Sequence, residues 1–188
     1  MTRGQQWRGR WLAALLDGLT RCGATADHVT LLSLAAGLAA GGLWFVNPVL
    51  ALVGLVLHVL LDGLDGPLAR RQRVASPRGS FTDTMADQLV VTALIVALMC
   101  AGRVSASAGS LFTVLYCAVA LFAMARNALQ RPYTWVVRPR FLVYAWLPLE
   151  IWVRPGSLDG LLWLCNLGLA VSAAAGFFAI RNSLERGR

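Results

Sequence analysis

The sequence predicts an all-α integral membrane protein, with six transmembrane helices behind an N-terminal amphipathic helix in the membrane interface. Three observations lead there. Of 188 residues, 57% are hydrophobic and only 14% charged, whereas a soluble domain is about a quarter charged; mean hydropathy is +0.63. The charges gather at the ends of long apolar runs. The basic residues, all arginine, divide unevenly between the two ends of those runs, the asymmetry that orients membrane helices. The net charge of +8 is therefore read as topology and anionic-lipid contact, not as a nucleic-acid surface. The four cysteines form no C-x-x-C pair, and no cleavable signal peptide is expected at the N-terminus.

Residues 1–24 bring Trp7, Trp11, Leu12, Leu15, Leu16 and Leu19 to helical spacing among Arg3, Arg8, Arg10 and Arg21. This is the pattern of a juxtamembrane helix with its apolar face in the headgroup boundary. Residues 25–188 are read as a single six-helix domain. The run from Val29 to Leu61 has no formal charge, yet as one helix it would be ~50 Å long, too long for a hydrocarbon core of ~30 Å. Asn47-Pro48 is a turn signal that divides it. Spans are accordingly placed near 29–46 and 49–72. The first carries a face of small residues, Ala35 to Gly42, suited to close helix packing. A third span runs from about 81 to 101 and a fourth from about 107 to 126. A polar connection follows, then a short fifth span near 139–153 containing Pro148 and Glu150, and a sixth near 158–180. Glu150 is expected to bind Arg154 or water. With six spans the termini share a side with every arginine except Arg103 and Arg154, so that side is predicted to be cytosolic.

The stretch Leu61 to Gln88 reads LDGLDGPLARRQRVASPRGSFTDTMADQ. It holds Asp62, Asp65, Asp83 and Asp87 at the inner ends of the second and third spans. Ionisable groups at such depth are expensive and mark function. Asp62 and Asp65 are three residues apart, Asp83 and Asp87 four apart, so each pair shares a helix face. Asp62 lies ~22 Å along its helix from the outer turn, at a depth similar to that of the second pair, and the four carboxylates are expected to converge. They cannot all stay ionised without cations. Their all-oxygen chemistry suits Mg²⁺, Mn²⁺ or Ca²⁺, and two such ions can clamp a pyrophosphate. Gly63, Gly66 and Gly79 leave room beside the acids, and Pro67 is expected to kink or open the helix. Arg70, four residues after Gly66, can hold a phosphate. His58, four residues before Asp62, is read as a buried histidine rather than a ligand. A cation transporter using these aspartates is the competing reading from another class. Arg70 speaks against it, because a cation site needs no arginine beside its ligands.

Asp62-x2-Asp65-Gly66-x2-Ala69-Arg70-x8-Gly79-x3-Asp83-x3-Asp87 resembles the signature of the CDP-alcohol phosphotransferases at every fixed position. Thr25-Ala26-Asp27-His28-Val29-Thr30 is similar to that family's T-P-N-x-V-T segment, with alanine and aspartate in place of proline and asparagine. The resemblance implies transfer of a phosphatidyl group from a CDP-linked lipid, CDP-diacylglycerol in kind, to an alcohol, with release of CMP. It implies that Asp62, Asp65 and Asp83 bind Mg²⁺ or Mn²⁺, two ions in all, and that Asp87 is the general base and touches one metal. It implies donor contacts from Gly66, Ala69, Arg70, Ser76 and Gly79, and from Thr25, Asp27 and Thr30. It also implies a homodimer in the cell membrane, as in a bacterial inner membrane, with the site facing the cytosol. The run Asp83-Thr-Met-Ala-Asp87-Gln is most similar to phosphatidylglycerophosphate synthases, which makes glycerol 3-phosphate the first acceptor to consider. Phosphatidylinositol phosphate and cardiolipin type synthases are the alternatives. Arg126, Arg138 and Arg140 are candidate acceptor contacts.

Overall fold

The computed structural model describes residues 13–129 and 139–186, and all secondary structure among them is helical. The elements are α1 (13–21), α2 (Ala26–Leu43), α3 (Pro48–Arg71), α4 (Pro77–Cys100), α5 (Ala106–Ala128), α6 (Pro139–Trp152) and α7 (Ser157–Arg186). Five of them, α2 to α5 and α7, are long and apolar enough to cross a membrane. α6 spans 14 residues, ~21 Å of helix, so the expected sixth crossing is not matched by length. The bundle is apolar outside as well as inside. Leu31, Val53, Leu164 and Val171 are each more than half exposed, a surface that water would not tolerate and lipid would. The chain is a multi-pass membrane protein.

Helix ends follow local chemistry. Asn47 caps α3, its side chain accepting from the Val49 and Leu50 amides, with Pro48 at the first position. Ser76 caps α4 in the same way ahead of Pro77. This Ser-Pro start brings α4 in four residues before the expected boundary, because the polar first turn carries no hydropathy signal. α3 runs on through Pro67 to Arg71 rather than opening. The proline lies near the helix end and removes a single hydrogen bond from a segment held on both sides.

α2 organises the inner half of the bundle. It packs along both α3 and α4, and it is the principal neighbour of each. Short loops alone would suggest a direct α3–α4 seam; instead α2 stands as the common wall. Its small residues permit this. A Cβ on Gly37 would lie 2.5 Å from both Val90 γ-carbons, and Val90 is fully buried in α4. Gly37→Ala should therefore lower stability by about 1–3 kcal/mol, the usual cost of overpacking. Thermal unfolding in detergent should register the loss, and adding Val90→Ala should restore most of it. α5 packs on α7 and α4, and α6 on α7 and α3. The core they share includes Leu94, Leu98, Phe112, Leu147 and Leu162.

α1 rests on the inner ends of α2 and α3. Leu16 packs with Val29 and Leu68, and Asp17 Oδ1 accepts from Arg71 Nε at 2.8 Å. Residues 1–12 of the expected amphipathic helix lie outside the described residues. At the opposite end, fully buried Glu150 corrects the expectation of an Arg154 or water partner. Its carboxylate accepts from the Gly156 amide at 2.6 Å, the Leu158 amide at 2.9 Å and Ser157 Oγ at 3.3 Å. It thus caps the start of α7 from α6, drawn there by amides that a helix start leaves without partners. Glu150→Ala should cost on the order of 3 kcal/mol by stranding those donors. Glu150→Gln, which can still accept, should lose less, and the two melting temperatures check the ordering.

Candidate active site

The C-terminal end of α3 and the N-terminal end of α4 bring Asp62, Asp83 and Asp87 together. One carboxylate oxygen from each lies within 4.8 Å of the others, and all three residues are half-buried. Asp65, expected as the fourth member, sits beside the cluster and is turned toward α2. Thr30 Oγ1 donates to its Oδ2 at 2.7 Å and the Gly66 amide to its Oδ1 at 2.6 Å. Three residues along a helix advance the direction by about 300°, not a full turn, so Asp65 faces the neighbouring helix, where a threonine offers a donor. Thr30 is thereby occupied with positioning a carboxylate instead of facing open space.

Two groups that sequence spacing did not assign to the cluster complete it. Arg140, 6% exposed, reaches in from the first turn of α6. One guanidinium nitrogen lies 3.1 Å from Asp62 Oδ2, and the other terminal nitrogen pairs with Asp87 Oδ2. His58 is buried, in line with its expected role. Its Nδ1 lies 2.8 Å from Ser33 Oγ, and its Nε2 faces Asp87 Oδ1 at 3.9 Å. Ser33 was legible only as one small residue among many; its hydroxyl is the anchor for the histidine. Among the described residues, buried Asp87 Oδ1 has no hydrogen-bond partner. Buried polar atoms are satisfied in the great majority of cases, so an orphaned oxygen on a carboxylate clustered with two others fits a cation-binding site. The donor set is all oxygen, which suits a hard divalent ion.

Arg70 lies over Gly66, its guanidinium 3.5 Å from where a Cβ would stand. Gly79 has only the Ser76 hydroxyl nearby, at 3.5 Å from such a Cβ. Gly66, Ala69 and Gly79 are all half-buried. Ser76 Oγ accepts from the Gly79 amide at 3.2 Å, and Thr25 caps α2 in a reciprocal pair with His28. Asp27 is exposed in the first turn of α2. Arg126 lies in the last turn of α5; Arg138 falls outside the described residues. An apolar cavity of about 510 Å³ opens between α3 and α6, lined by Leu55, Val59, Leu60, Phe141, Tyr144 and Trp152 among others.

A family model for CDP-alcohol phosphatidyltransferases matches residues 23–178. The chain belongs to that family. The match takes in every helix from α2 to α6 and most of α7, so the aspartate cluster stands within the family domain. The chain is 38% identical over 72 residues to the archaetidylinositol phosphate synthase of Aeropyrum pernix, an alignment covering 38% of this chain and 37% of that protein. The matched segment thus spans little more than a third of that relative. The fold is similar to that of the phosphatidylinositol phosphate synthase of Mycobacterium tuberculosis. In the structure with CDP-DAG bound the TM-score is 0.78 at 20% identity, covering 91% of this chain and 94% of that one. In the complex with manganese and citrate the TM-score is 0.75 at 20% identity, covering 90% and 88%.

Proposed function

We propose that the protein transfers a substituted phosphate group, a phosphatidyl group or its close analogue, from a CDP-linked lipid to an alcohol and releases CMP. The observation that carries this reading is the convergence of Asp62, Asp83 and Asp87 from two helices of the family domain. Family membership also favours it over the cation transporter. Asp62, Asp83 and Asp87 would hold the divalent metal, Mg²⁺ or Mn²⁺, and Asp65 would serve a second ion. Bound there, the metal would neutralise charge on the pyrophosphate and on the departing CMP.

The chain's own residues account for the rest. The acceptor oxygen forms a bond to the phosphorus that carries the lipid alcohol, the bond from that phosphorus to the CMP oxygen breaks, and CMP leaves with the electron pair. Asp87 takes the acceptor's proton, and its Oδ1, which has no hydrogen-bond donor among the described residues, is the oxygen suited to do so. Arg70, Gly66 and Gly79 border the space proposed for the nucleotide. The apolar cavity between α3 and α6 suits the hydrocarbon of the lipid. The arginine asymmetry supports a site that faces the cytosol.

The acceptor is proposed to be a phosphorylated polyol, because a buried guanidinium at the cluster recognises a phosphate through its planar fork. The motif around Asp83 suggests glycerol 3-phosphate; the relatives named above favour an inositol phosphate. An acceptor panel decides it: purified protein with Mg²⁺ or Mn²⁺ and CDP-diacylglycerol should release CMP with a phosphorylated polyol and not with free inositol or serine. Mass spectrometry of the products names the acceptor, and CMP release with none of these acceptors would contradict the reading.

A further inference from the structure

The carboxylates proposed to hold the metal already share a cation that belongs to the chain. Arg140 pairs with Asp62 on α3 and Asp87 on α4 while standing on α6. Its fork therefore covers two of the three clustered carboxylates and leaves Asp83 outside. A guanidinium carries a full positive charge. At 6% exposure it is poorly screened by solvent or salt. A divalent ion taking Asp62 and Asp87 as ligands would meet a fixed like charge at close range, where Coulomb repulsion is strong. The Phe141 ring lies 4.6 Å from Arg140 Cζ and offers the guanidinium a cation–π face should it leave the carboxylates.

Resting on the metal-dependent reading above, we propose that Arg140 is an internal competitor for the divalent ion. It holds Asp62 and Asp87 until a phosphate-like anion draws the guanidinium away, so that anion and metal bind cooperatively. The coupling is reciprocal: whatever factor the anion contributes to metal affinity, the metal returns to the anion. An arginine that served only as a clamp between helices would produce no such coupling.

The test is Mn²⁺ binding to the full-length protein in detergent, read from the electron paramagnetic resonance signal of free Mn²⁺, without lipid donor. Arg140→Gln should bind Mn²⁺ at least about tenfold more tightly than the wild type, given the removal of a full charge beside the ion. Arg140→Lys should stay near the wild type. Inorganic sulfate should tighten Mn²⁺ binding severalfold in the wild type and leave Arg140→Gln unchanged. Equal or weaker binding in Arg140→Gln would overturn the proposal. Thermal unfolding guards against a misfolded variant: Arg140→Gln should melt lower than the wild type without Mn²⁺ and gain more from it. If the variant stays equally destabilised at saturating Mn²⁺, the guanidinium is a scaffold and the proposal fails. Absence of Mn²⁺ binding in the wild type and in both variants would overturn the metal site itself, a separate outcome from equal binding in all three.

Discussion

Asp87→Asn should lower turnover by about a thousandfold, within the range that a positioned general base contributes, while the CDP-lipid still binds. The amide keeps the shape of the carboxylate and an oxygen that can accept from Arg140, but it cannot take the acceptor's proton. The defect should therefore appear chiefly in kcat, the signature of an interaction needed in the transition state, with donor binding weakened but retained because Asp62 and Asp83 would still hold the metal. Steady-state kinetics with direct measurement of donor binding separates the two quantities. Near-normal turnover in this variant would remove Asp87 as the base and leave His58, whose Nε2 faces it at 3.9 Å, as the next group to examine.

Asp62→Ala should weaken metal binding by ~100-fold or more, since even the partners behind a metal ligand cost 10–100-fold when removed. Metal-dependent nucleotide binding should vanish with it. The fold should survive, because Arg140 retains Asp87 as its partner and no buried charge is left uncompensated. This separates loss of a ligand from loss of the bundle: calorimetric Mn²⁺ affinity should collapse while the melting temperature without metal falls little. Unchanged metal-dependent nucleotide binding would contradict the ligand role.

The parts of the molecule legible in sequence are those written in short range. Hydropathy and Asn47-Pro48 placed α3 within one residue of its observed bounds. The i, i+3 and i, i+4 spacing of the aspartates put each pair on one helix face, and three of the four meet. The misses involve contacts between elements distant in the chain. Asp65 accepts a hydrogen bond from Thr30, 35 residues earlier, a contact that spacing does not show. Arg140 reaches Asp62 across 78 residues, and no spacing rule distinguishes it from Arg126 or Arg138. Glu150 lies close in sequence to its partners, yet its role depends on the turn that brings the start of α7 back over α6. The small-residue face of α2 was visible. That it serves as a wall for two helices at once, and so sets where the aspartates meet, depends on the packing of the whole bundle.

The central claim is that α3 and α4 present their carboxylates to a common divalent ion. Its most direct test is anomalous diffraction from crystals of the protein grown with Mn²⁺. The account predicts anomalous density among the carboxylates of Asp62, Asp83 and Asp87, with ligand oxygens drawn from both helices. Density bound to one helix alone, or placed away from all three aspartates, would contradict it.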